Sequence, residues 1–355
     1  MVRSSFMTTQ PVIPVDISVI VPCRNEVGTI AGCVASILDQ EIGSERMEVI
    51  IADGQSTDGT RQVLDDLVRL DARVRVLSNP RLIVSTGLNA GIEAARGNII
   101  IRMDAHTTYE RDYVAQCLAV LRDSGADNVG GPALTVAHGV HQRAIALAYH
   151  SPFAVGGARF HNPAYEGWVD TVPYGCWPRA VFSRIGLFDE ELVRNQDDEF
   201  NLRLTRAGGR IYQSPRIRSW YRPRGSLYDL FLQYRQYGYW KVRVIQKHKV
   251  PASLRHLVPA GFVLVVAVLA ITALWSKSAV WMLIAVAGAY LLCTVAAAVI
   301  AGGRQHWPLI PLLPFVFVTY HLSYGLGFLQ GLWDCVVMHR KPSRSLVNLS
   351  RRPVG

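Results

Sequence analysis

The chain has 355 residues, half of them hydrophobic, with 37 Lys and Arg against 27 Asp and Glu and a formal net charge of +10. That length allows one large domain with an appendage or two smaller domains. The six cysteines, Cys23, Cys33, Cys117, Cys176, Cys293 and Cys335, lack C-x-x-C spacing, which argues for reduced thiols and against a zinc site.

Residues 1–15 form an N-terminal extension with one Arg and no apolar core of the signal-peptide kind, so the globular part is expected in the cytoplasm. From Asp16 the pattern alternates. Ile17–Pro22 is a short β-rich run, and Gly28–Gln40 carries Ile30, Val34, Ile37 and Leu38 on one helical face. Strands follow at Glu48–Asp53, Val74–Leu77 and Asn98–Asp104, and helices at Thr60–Leu70 and Gly87–Ala95. This alternation predicts a mostly parallel α/β sheet with helices on both faces. Ligands in such sheets bind beyond the carboxyl ends of the strands, where Pro22–Glu26, Asp53-Gly54 and Asp104-Ala-His106 all fall.

A catalytic domain is thus expected over residues 16–225. A basic and aromatic segment follows over 226–256, then an apolar region over 257–335 and a basic tail over 336–355. The apolar region contains three stretches, Leu257–Trp275, Ala279–Ala301 and Trp307–Trp333, each near the roughly 20 residues that a bilayer asks of a helix. The third is the weakest, with Pro308, Pro311 and Pro314 at its start and His321 inside it, a pattern that fits a broken, re-entrant or only partly immersed segment as well as a full span. Nine Lys and Arg between Arg218 and Arg255 place the segment before the first stretch inside the cell, against anionic headgroups, which makes lipid or diphosphate a better counter-charge than nucleic acid. The basic residues after the third stretch fit that orientation only if this stretch does not cross fully. Gly325, Gly327 and Gly331 offer close-approach surfaces, for a homo-oligomer or for internal packing.

Four loops carry chemistry. Asp53-Gly-Gln-Ser-Thr-Asp-Gly-Thr60 ends a strand with a carboxylate that could accept from a base or ribose; equally it is a solvated turn with Asp58 capping the next helix. Asp104 and His106 alternate onto one side of an extended backbone, a spacing suited to a divalent cation on a diphosphate or to a plain surface turn. Asn195–Phe200 sets Asp197, Asp198 and Glu199 before the helical pattern Phe200–Gly208, more acid than capping needs, so that a carboxylate free of a lysine partner there is a candidate general base. Gln233–Arg243 mixes aromatic and basic side chains, either as an interfacial helix or as rings that stack on sugars beside cations that hold a pyrophosphate.

Val19–Glu26, Ala52–Thr60, Leu88-Asn-Ala-Gly91, Arg102-Met-Asp-Ala-His106 and the acidic helix start occur in one order, and in that order the sequence resembles glycosyltransferase family 2. The resemblance runs from Asp16 to Lys249 and is closest to succinoglycan-type, membrane-associated exopolysaccharide glucosyltransferases. It implies a GT-A fold and an inverting, metal-assisted transfer, with Mn²⁺ or Mg²⁺, from a UDP-sugar to a lipid-linked saccharide. By the same resemblance Pro22, Arg24, Glu26, Asp53 and Asp104 bind the nucleotide, Asp104 and His106 the metal, and Asp197 is the base, with Asp198 as its neighbour. Trp177, Gln233, Arg235, Trp240 and Lys241 fall on the acceptor or diphosphate side. His106 replaces the family's more common second Asp. Tyr239 stands where processive relatives carry Arg in Q-x-x-R-W, which speaks against polymer synthesis. Two other functions fit parts of the pattern: a polyprenyl-phosphate sugar synthase, which shares the donor residues, and a non-catalytic nucleotide-binding scaffold. A nicotinamide dehydrogenase fails because the first βα turn lacks G-x-G-x-x-G.

Overall fold

The computed structural model describes residues 15–251, 253–340 and 346; most of the N-terminal extension and of the basic tail lie outside the described residues. Alternating units build the first half: β1 (Ile17–Cys23), α1 (Ile30–Leu38), β2 (Met47–Asp53), α2 (Thr60–Leu70), β3 (Val74–Ser78), α3 (Val84–Ala94) and β4 (Ile99–Arg102). Strands β3-β2-β1-β4 run parallel, with Val19 opposite both Val49 and Ile101. Alternation along β1 sends Ile17, Val19 and Val21 to a core shared with α1 and Ile20 to one shared with α3, so both faces are covered.

The sheet continues through short pieces. Next in chain order come β5 (Thr107–Tyr109), α4 (Tyr113–Ser124), β6 (Asn128–Gly130), β7 (Ala133–Thr135), α5 (Gly139–Tyr149), α6 (Pro152–Val155), β8 (Gly167–Val169), β9 (Cys176–Pro178), α7 (Ala180–Ile185), α8 (Gln196–Arg206), β10 (Ile211–Gln213) and β11 (Ser219–Tyr221). The main sheet has the order β3-β2-β1-β4-β9-β6-β10-β8, and β5-β11-β7 form a second small sheet. Strand β9 enters antiparallel between β4 and β6, so the sheet is mixed beyond β4. The predicted parallel half is therefore joined to an antiparallel extension that no local periodicity announced.

Four long helices complete the chain: α9 (Leu227–His248), α10 (Val258–Thr272), α11 (Lys277–Gly302) and α12 (Leu313–Gly331). Two apolar segments, Leu254–Thr272 and Lys277–Gly302, are long and apolar enough to cross a membrane, and little of either is buried within the chain. The third predicted stretch behaves differently. Its helix α12 lies along α9 and buries Leu313, Val316, Phe317 and Tyr320 with Leu230 of α9 and Ala144 and Ile145 of α5.

Glycines make that crossing close. A Cβ on Gly327 would sit 2.0 Å from the Arg235 carbonyl oxygen and one on Gly238 of α9 2.1 Å from that of Tyr324. Gly331 abuts Tyr239 and Gly325 abuts Pro259, so the stripe is spent on packing inside the chain and supplies no surface for a second copy. Nor is α9 an interfacial surface helix: Leu230, Tyr239, Trp240 and Val244 are buried between the sheet domain and the C-terminal helices.

Candidate active site

The loops after β1 and β2 hold each other in place. Asn25 Oδ1 accepts from the Thr57 N–H (2.9 Å), the Asn25 N–H donates to Ser56 Oγ (2.9 Å), and the Glu26 N–H donates to Thr60 Oγ1 (2.8 Å). Asp53 is buried below them. Its Oδ1 accepts from the Ser56 N–H and hydroxyl, and Arg61 stands 3.6 Å from its other oxygen. It therefore shapes the loop and does not line the cavity above it. Asp58 takes the capping role, accepting from the Thr60 N–H (3.0 Å) and hydroxyl and from the Val27 N–H. These bonds outweigh desolvation and hold its carboxyl below the ordinary range.

Arg24 crosses over Gly54, where an added Cβ would lie 3.2 Å from the arginine's Cβ and Cδ. Only glycine leaves that path open. The Arg24 Nε is buried with no hydrogen-bond partner among the described residues, and Arg24 lines the cavity.

Asp104 follows the end of β4. Its two oxygens take Arg102 Nε (2.9 Å) and Nη2 (3.2 Å), and its N–H donates to the Tyr109 hydroxyl (2.6 Å). Arg102 is buried. Desolvation would lower its pKa, but the charges of Asp104 and then Asp197 raise it, so the guanidinium stays charged between these two carboxylates. Arg102 also lines the cavity although no motif marked it as a site residue; its signal was the i, i+2 spacing to Asp104 on an extended strand. His106 Nδ1 stands 3.3 Å from Glu26 Oε1, whose other oxygen accepts from Thr29 Oγ1 (2.7 Å).

Helix α8 starts four residues before its predicted onset, which brings all three acids into its first turn. Their neighbours separate their roles. Glu199 is buried and takes Arg203 Nε (2.9 Å) and His248 Nε2 (2.9 Å), and Arg203 also ties down the carbonyls of Ile185 and Leu187. Asp198 is ion-paired with Lys241 of α9. Burial would push its carboxyl up, but Lys241, then His256 and Arg255, prevail and hold it below the ordinary range. Asp197 faces the cavity, accepts the Asp198 N–H at 3.0 Å, and has no ion pair among the described residues. Of the three acids, it is the one without an ion pair among the described residues.

These groups line one cavity of about 1780 Å³. A drug-sized ligand typically occupies a pocket of about 300–1,000 Å³, so this one has room for two substrates. Pro22, Arg24, Glu26, Asp104, His106, Asp197, Asp198, Gln233 and Lys241 all reach it. Besides Asp53, three expected members do not. Trp177 points to the other face of β9 and packs against Phe182, Phe188 and Phe200 with ring centroids 5.7 to 6.1 Å apart. Helical spacing on α9 turns residues 233, 237 and 241 to the cavity and sends Arg235 to Gln330 of α12 (2.6 Å), while Trp240 donates its indole N–H to the Leu346 carbonyl (3.0 Å). Gln233 is held by Arg224 Nε (3.0 Å) and donates to the Tyr237 hydroxyl (2.9 Å).

Among the described residues no three His, Cys, Asp or Glu side chains gather into a metal cage. Asp104 and His106 supply one carboxylate and one imidazole at the cavity wall. Two protein donors suit a cation whose other ligands are diphosphate oxygens and water.

Comparison with known proteins agrees with this layout. The model for glycosyl transferase family 2 matches residues 18–184. Over 318 residues the chain is 31% identical to the succinoglycan biosynthesis protein ExoA of Rhizobium meliloti (strain 1021), covering 89% of this chain and 94% of that protein. It is 27% identical over 324 residues to a dolichyl N-acetyl-alpha-D-glucosaminyl phosphate 3-beta-D-2,3-diacetamido-2,3-dideoxy-beta-D-glucuronosyltransferase of Methanococcus voltae, covering 89% of this chain and 97% of that one. Among solved structures, the mannosyltransferase PcManGT of Pyrobaculum calidifontis, in complex with GDP-Man and Mn²⁺, superposes with a TM-score of 0.55 at 19% identity over 91% of this chain and 88% of its own, a likeness of fold. The GT-A architecture and the near full-length match make the chain a glycosyltransferase that belongs to glycosyl transferase family 2.

Proposed function

We propose that the protein is a membrane-anchored, inverting hexosyltransferase that moves glucose from UDP-glucose to a saccharide held on a lipid, in exopolysaccharide or cell-surface glycan synthesis. The observation that carries the reading is the division of labour at the start of α8. Asp198 is committed to Lys241, whereas Asp197 stands in the cavity with its charge uncompensated by an ion pair.

In this reading the acceptor hydroxyl lies against Asp197, which takes its proton as the oxygen attacks the anomeric carbon. The leaving nucleoside diphosphate lies on the opposite side of that carbon, toward Asp104, so configuration inverts. The diphosphate lies within reach of Arg24, whose buried Nε has no other partner, and the nucleoside lies over the interlocked loops after β1 and β2. Asp104 and His106 would hold Mn²⁺ or Mg²⁺, which when bound offsets negative charge on the leaving diphosphate. Arg102 keeps Asp104 oriented and spans the distance to Asp197. Segments Leu254–Thr272 and Lys277–Gly302 anchor the enzyme, with the catalytic domain on the cytoplasmic side.

Nucleotide release by the detergent-purified protein tests this, with Mn²⁺, a panel of UDP-, GDP- and dTDP-sugars, and membrane lipid extract as acceptor. UDP release that requires metal and lipid, and that disappears in Asp197→Asn and Asp104→Ala, is the expected result. Tight UDP binding without turnover under every condition would overturn the enzyme reading in favour of a scaffold. Full activity of Asp197→Asn would instead favour a phosphate nucleophile, which needs little base.

A further inference from the structure

The cavity does not stop at Lys241. Beyond that residue its wall continues over Arg255 and His256, then Val258, Pro259 and Phe262 of α10, with Tyr324 of α12 opposite. Arg255 and His256 belong to a short turn, Leu254–His256, directly ahead of α10, whose outward side chains Leu264, Val265, Val268 and Ile271 are exposed. The polar end of this passage thus lies at the level where an apolar helix emerges, the depth at which lipid headgroups reside.

That end carries unspent hydrogen-bonding capacity. His256 Nδ1 and the Tyr324 hydroxyl are both buried with no partner. Buried polar groups in folded proteins nearly always find partners, so two orphans in one cavity wall point to a ligand that brings acceptors. Lys241 and Arg255 supply the positive charge, balanced for now by Asp198 and Asp170. Asp198 lies in the electrostatic reach of Lys241, His256 and Arg255, and Tyr324 in that of Asp198 and Arg255, so the four groups share one locus.

Building on the transferase reading, we propose that this end of the cavity binds the phosphate or diphosphate of a long-chain lipid acceptor: Lys241, Arg255, His256 and Tyr324 hold its oxygens, and its tail leaves past Val258, Pro259 and Phe262. The phosphate competes with Asp198 and Asp170 for the two cations.

The full-length protein in detergent tests the site by calorimetric titration with UDP held saturating, which blocks the donor site. The probes are farnesyl diphosphate, farnesol and inorganic pyrophosphate. The His256→Ala/Tyr324→Phe double variant is expected to weaken farnesyl diphosphate at least tenfold while its own UDP affinity stays within twofold of wild type. Phe262→Trp, which narrows the tail passage and leaves the polar groups intact, is expected to weaken farnesyl diphosphate but not pyrophosphate. Unchanged farnesyl diphosphate binding in both variants overturns the proposal, as does pyrophosphate binding as tight as that of farnesyl diphosphate, which would mark a free-anion site. Farnesyl diphosphate binding that survives a failure of UDP to bind supports the lipid site and sinks the donor reading instead.

Discussion

Adjacent acids at the start of α8 differ because of what stands opposite them. Removing the Asp197 carboxylate charge while keeping its shape, as in Asp197→Asn, is expected to cost 10²- to 10⁴-fold in kcat, the usual worth of a positioned base, with UDP affinity retained; steady-state kinetics beside UDP titration checks this. Asp198 predicts a stability effect. Lys241→Met leaves its mostly buried carboxylate without a counter-charge, and breaking such a pair costs about 3 kcal/mol. The sign with pH follows from the depressed carboxyl of the folded state. Its stabilisation is complete above the unfolded carboxylate value of about 3.9 and is lost as pH falls through the folded one. Denaturant titrations of wild type and Lys241→Met should therefore differ fully at pH 7 and converge on acidification; a gap that stays constant with pH would refute the pairing. Both acids were legible in the sequence as a cluster and the family resemblance singled out Asp197, but the ion pair that separates them was not legible, because the lysine is 43 residues away.

At the level of elements, motifs at strand ends were the most readable features. β1, β2 and β4 are local, apolar and followed by polar groups, and a parallel sheet delivers such ends to one edge whatever the rest of the chain does. Trp177 was misplaced for the complementary reason. Its side is set by how β9 pairs with β4, a contact between residues far apart in the chain that three strand residues cannot signal. Helix α12 read as a weak membrane span because apolar composition cannot distinguish lipid from the face of α9. The crossing itself is testable. Gly327→Ala forces a Cβ into a backbone carbonyl and is expected to destabilise by about 1–3 kcal/mol or more, whereas Gly261→Ala, with nothing within 4 Å, should be neutral or slightly stabilising. Thermal unfolding of the two variants, followed by tryptophan fluorescence, separates packing from a general intolerance of alanine.

Taken whole, the molecule is a sheet domain whose acceptor side is finished by its C-terminal helices. A truncation after residue 256 leaves the sheet complete but exposes Leu230, Tyr239 and Trp240 of α9. It is expected to aggregate, as contiguous apolar surface of this kind does; size-exclusion chromatography of that fragment against full-length protein checks it, and a monodisperse fragment would show that α9 stands without α12. The same dependence has a consequence for biosynthesis. Arg235 meets Gln330 across 95 residues, so at 5–20 residues per second the ribosome finishes the partner of α9 roughly 5–20 s after α9 itself, with α10 and α11 made in between. Helix α9, which carries Lys241, is thus packed on its far side only once both apolar helices and α12 exist. Until then the cavity wall that Tyr320, His321 and Tyr324 of α12 supply does not exist, and a nascent chain halted before α12 carries only part of the cavity.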